Sequence, residues 1–90
     1  MSILLVTYEH KTVGKDYTAF FDTLKSTPSK WWHYLESVWL VETTMTANDF
    51  ARKLYPHITT TDRLLVIRVQ REYQGWLTKE AWDWINKRQY

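Results

Sequence analysis

Ile3-Leu4-Leu5-Val6-Thr7-Tyr8-Glu9 is the stretch on which the fold turns. It is short, apolar, branched and closed by a carboxylate, too brief to span a membrane and rich in the residue types of a buried strand. Side chains alternate along a strand, so Ile3, Leu5 and Thr7 point one way and Leu4, Val6 and Tyr8 the other. Neither face is charged before Glu9, which puts the strand in the middle of a sheet whose two faces both need cover. Helices are expected on one face. In a chain of 90 residues the other face falls to a partner or stays as an exposed patch.

Working outward, Tyr17, Phe20, Phe21 and Leu24 recur at i, i+3, i+4 and i+7, one face of a helix with Asp16 near its positive end. Ser26-Thr27-Pro28-Ser29 stops that helix, because the residue before a proline avoids helical torsions. Trp31 to Thr44 is extended and too long for one average strand, so two strands are expected to meet near Glu36-Ser37 through a tight turn or bulge. Thr46 is suited to cap a second helix, with Asp49 three residues on and Met45 placed to pack on Phe50. Ala47, Phe50, Ala51 and Leu54 form its stripe, and Pro56 ends it.

Arg63 to Arg71 reads as another strand, with Leu64, Val66 and Arg68 on one face and Leu65, Ile67 and Val69 on the other. Gln70 to Gly75 extends this edge or turns away. A last helix starts near Thr78, with Leu77 and Trp82 as a staple pair and Ala81, Trp82 and Ile85 as its apolar side. The order strand, helix, strand, strand, helix, strand predicts an α+β fold, a ferredoxin-like βαββαβ two-layer sandwich with a short C-terminal helix. Residues 1–90 are read as one domain with a helical extension from about 76. The second sheet face is a candidate homodimer surface, and the terminal helix with Trp76, Trp82 and Trp84 is the competing cover.

Composition narrows the chemistry. Without cysteine there is no disulfide, thiolate metal site or thiol nucleophile, and with only Gly14 and Gly75 there is no glycine-rich phosphate loop. Nothing resembles a signal peptide or a membrane span, so a cytoplasmic location without membrane attachment is expected. A formal charge of +2 is a weak sign of nucleic acid, although a local basic stripe can hide in such a sum. Six tryptophans are many for one small core to bury, which favours an oligomer.

Val6-Thr7-Tyr8-Glu9, the segment Tyr34 to Trp39 containing Ser37-Val38-Trp39, and Asp62-Arg63-Leu64-Leu65-Val66-Ile67 resemble the small CRISPR-associated, Cas-two-like family over about residues 2–70. The 32–41 segment and the tail Gly75 to Trp84 resemble its SinR-like branch in particular. The resemblance implies a ferredoxin-like homodimer with opposed sheet faces. It also implies association with RNA or double-stranded DNA, either as a metal-dependent endonuclease or as a non-catalytic duplex-binding or protein-interaction scaffold. Glu9 stands where the family pattern has aspartate, and Trp39 where it has phenylalanine.

The candidate catalytic and metal-binding residue is Glu9. A carboxylate at the end of a central strand, beside a two-fold axis, could meet its symmetry mate around Mg²⁺ or Mn²⁺, against the plainer reading of a solvated or ion-paired glutamate. Lys11, Lys15, Arg63, Arg68 and Arg71 are the candidate phosphate contacts if the fold gathers them, with dispersed solubilising charge as the alternative. Tyr8, Trp39 and Trp76 are candidate interface residues, the first two also being natural packing groups. His10 points to the face opposite Glu9 if the strand continues and reads as an ordinary loop histidine, His33 and His57 lack ligand spacing and read as structural, and Ser37, with no adjacent general base, reads as a turn or hydrogen-bonding residue.

Overall fold

In the computed structural model, which describes residues 1–26 and 30–90, the anticipated element order is present. Strand β1 (Ser2–Glu9) is followed by helix α1 (Thr18–Leu24), strands β2 (Lys30–Leu35) and β3 (Val38–Thr43), helix α2 (Ala47–Leu54), strand β4 (Arg63–Arg68) and helix α3 (Lys79–Asn86). The sheet order is β2-β3-β1-β4 with all neighbours antiparallel, so the opening strand is central and hydrogen-bonded on both sides. This is an α+β two-layer arrangement consistent with a ferredoxin-like sandwich.

Local chemistry sets the boundaries. Asp16 Oδ1 accepts from the Thr18 backbone N–H at 2.9 Å at the start of α1. The expected stop at Thr27-Pro28-Ser29 lies outside the described residues. Thr46 caps α2 by accepting from Asp49 N at 3.1 Å, and Pro56 falls in a 3₁₀ turn (Tyr55–His57) that continues from the helix. The polar pair Glu36-Ser37 makes the turn between β2 and β3, and the β2–β3 register shifts between Trp32 and Leu35, so turn and irregularity are both present. Strand β4 ends at Arg68, earlier than the expected Arg71, with Val69 N still bonded to Ile3 O at 2.9 Å. Beyond it the chain turns away, and Thr78 caps α3 by accepting from Ala81 N at 3.3 Å.

Two apolar layers result. Leu4, Val6, Tyr8, Trp39 and Val41 pack with Phe20 and Leu24 of α1 and Phe50 and Leu54 of α2. Ile3, Trp32 and Leu40, on the other side of the sheet, pack with Ala81 and Ile85 of α3. Trp32 Nε1 donates to Ala81 O at 3.1 Å, so α3 is tied to the sheet as well as packed on it. The terminal helix therefore covers part of the outer face. Its cover fades along β1, from buried Ile3 through half-buried Leu5 and Thr7 to exposed Glu9, and Leu65 and Ile67 of β4 stay about half exposed.

Candidate nucleic-acid interface and open sheet face

Glu9 closes β1 on the outer face, opposite Arg63 in the β1–β4 register. It is exposed and lines a shallow cleft of about 220 Å³ with Thr7, Tyr8, Arg63, Leu64 and Leu65. No group of three or more His, Cys, Asp or Glu side chains is placed to hold a metal ion among the described residues. Mg²⁺ keeps several waters and is held by one or two carboxylates, so the expected cation site would take Glu9 from each of two protomers.

His10 points the other way and stacks between two tyrosines. Its ring lies 3.7 Å from Tyr17 at 3° and 4.4 Å from Tyr8 at 16°, centroid to centroid. Nε2 is buried without a hydrogen-bond partner among the described residues. Burial lowers the pKa of His10, with Asp62 opposing and Lys15 reinforcing that shift. His33 is structural too: Nε2 is 2.8 Å from Glu36 O, and the ring stacks on Trp39.

The best-connected polar residue of this end is Asp62. Its carboxylate accepts from Lys11 N at 2.8 Å, Thr59 N at 2.9 Å and Tyr17 Oη at 2.9 Å. Burial alone would raise its pKa, but these donors and the nearby His10 outweigh it and hold the carboxyl at about 2. Asp62 thereby locks the 59–62 loop to the segment after β1. Thr12 Oγ1 and Thr59 Oγ1, 2.8 Å apart, close the same junction.

This lock decides where the candidate phosphate contacts lie. Lys11 is anchored to Asp62 through its backbone, and Arg63 follows Asp62 and donates to its carbonyl at 3.0 Å. Lys15 Nζ lies 5.4 Å from the Tyr17 ring centre, one residue contact from Asp62. Three of the five expected cations thus share one end of the sheet with Glu9. Arg68 and Arg71 lie apart from them, lining a cleft with Tyr90, and Arg71 is occupied by Arg88 O, Tyr73 Oη and the Tyr90 ring.

The three expected interface residues separate just as clearly. Trp39 is 1% exposed, its Nε1 donating to Tyr8 Oη at 3.0 Å, and Tyr8 is itself buried. Both are packing groups of the helix-side core, because the outward direction at β1 and β3 belongs to their odd-numbered and even-numbered neighbours respectively. Trp76 alone is exposed. Sequence reasoning placed Tyr17 on a helix face and Asp62 in a resembling segment but did not pair them, because at 45 positions apart no local spacing gave a signal. Comparison of the chain with protein-family models, with curated proteins and with solved structures yields no match.

Proposed function

We propose that the protein is a homodimeric nucleic-acid-associated protein of the Cas-two-like kind that binds duplex backbone without cutting it. The observation that carries this reading is the half-exposed outer face of Leu65 and Ile67, at whose end Arg63 closes the sheet beside the segment that carries Lys11 and Lys15. Glu9, Asp16 and Asp62 balance these three cations in number, but the oxygens of the two aspartates are directed at internal donors, which supports contact of the cationic groups with phosphate. Contacts of this kind position a duplex and carry no sequence preference. Backbone binding needs only the cationic side chains, whereas cleavage would need Glu9 of both protomers and water around a cation.

Light scattering is expected to give twice the monomer mass of 11.0 kDa. Labelled RNA and DNA duplexes should bind at low salt and release as salt rises, and Lys11→Ala and Arg63→Ala should each reduce the log–log salt slope by about 1. Glu9→Ala should leave binding unchanged. Absence of binding to either duplex overturns the nucleic-acid reading. Chelator-sensitive cleavage of single-stranded RNA or duplex DNA that disappears in Glu9→Ala would replace it with a metal-dependent endonuclease assembled across two protomers.

A further inference from the structure

Trp76 is 98% exposed, the most wasteful placement of an indole that this fold contains. It stands beside space of matching character. A cleft of about 420 Å³ lies between Trp76, Leu77 and Thr78 on one side and Tyr34 and Leu35 on the other. Leu35 and Leu77 also line the adjoining cleft of about 430 Å³, whose floor includes Leu5, Val38 and Ile67 on the outer face of the sheet. An unsatisfied aromatic knob and an unfilled apolar hole therefore sit side by side on one surface.

A surface that carries both halves of a contact is complementary to itself, which is what a two-fold interface between identical chains requires. The rim does not point to a foreign partner of either charge, because Arg68 and Glu72 both line it and oppose each other in sign. The area is sufficient as well. From their fractional exposures, Trp76, Tyr34, Leu35, Leu65 and Ile67 present roughly 600 Å² per protomer, or ~1,200 Å² over two, the lower end of the range for a specific interface.

We propose that a second copy of this chain occupies the groove, the Trp76 indole of each protomer entering the other's cleft over Leu5, Val38 and Ile67. This rests on the homodimer reading above and names the residue that anchors it. Central, fully desolvated tryptophans are the residues most often found to dominate such interfaces.

Because Trp76 touches little of its own chain, Trp76→Ala should keep the wild-type circular dichroism, and should keep the wild-type Tm at concentrations low enough that both proteins are monomeric. Its dimer dissociation constant, from sedimentation over a dilution series, should rise by about 30-fold or more. Ile67→Glu, in the floor of the cleft, should weaken the dimer similarly. Tryptophan emission of the wild type should shift to the blue on association, and Trp76→Phe should lose most of that shift. A wild-type dimer whose dissociation constant is unchanged in Trp76→Ala overturns this inference and leaves the homodimer standing. A wild type that is monomeric at every concentration overturns both. Open-ended assembly that grows with concentration overturns the two-fold closure, since knob and hole would then be joining head to tail.

Discussion

Asp62 shows how one side chain can set the ionisation behaviour of an end of the molecule. Its folded pKa, about 2, lies below the ordinary 3.8, so the stability it confers is complete above that ordinary value and is lost as pH falls towards 2. The Tm difference between wild type and Asp62→Ala should therefore be largest near neutrality and shrink in that acidic window. His10 titrates in a different window. Its folded pKa is lowered from 6.5, so the fold is favoured while the ring is neutral, and that contribution fades as pH drops through the lowered value. His10→Phe keeps an aromatic ring between Tyr8 and Tyr17 and should flatten the Tm profile just below pH 6.5, while leaving the lower, Asp62-dependent transition in place. A His10→Phe profile identical to wild type in that interval would show that the stacked ring does not couple to folding.

Among the elements, α3 is the one whose position was open to two readings. The periodicity of Ala81, Trp82 and Ile85 marks an apolar helix side, and such a side packs equally well on a partner or on its own sheet. Tertiary contacts decide it: Ala81 is fully buried against the outer layer, and its carbonyl accepts from Trp32. Close approach at this point depends on the small side chain. Ala81→Leu should push α3 off the sheet and cost about 1–3 kcal/mol, read as a lower midpoint in urea with increased binding of a hydrophobic dye. The strands and the first two helices were legible because each carries its own signal, such as the Thr46 cap or the Tyr17–Leu24 spacing. The Tyr17–Asp62 lock was not legible, because it joins two loops that only the folded sheet brings together. Trp39 was legible as a packing aromatic at a sheet position but not as a member of the helix-side layer, since that depends on which face of β3 the helices take.

For the whole molecule, the sandwich has a finished side and an unfinished one. The helix-side layer is closed by α1 and α2, and the outer layer is closed only where α3 reaches Ile3, Leu40 and Trp32. That asymmetry explains how six tryptophans fit into so small a chain. Trp39 and Trp32 are absorbed by the two layers, Trp82 and Trp84 pack against the outer one, and Trp31 and Trp76 remain at the surface. No helix among the described residues is long and apolar enough to cross a membrane.

Helix α3 is held to the sheet by packing, by the Trp32–Ala81 hydrogen bond and, just past its end, by an Arg88–Glu42 ion pair of 3.3 Å, and this side-chain attachment bears on the order in which the molecule comes apart. The α3 layer rests on a sheet that is already braced from the opposite side, and it can lift without breaking a single strand pairing. In native-state hydrogen exchange the α3 amides should therefore exchange through a partial opening, at a lower free energy than the β1 amides, which are enclosed by β3 and β4 and need global unfolding. Equal protection of α3 and β1 would mean that the tail and sheet unfold as one unit. A lower value for α3 would mean that the protein visits, within its native lifetime, a tail-detached form whose sheet is intact and whose Ile3 and Leu40 are uncovered.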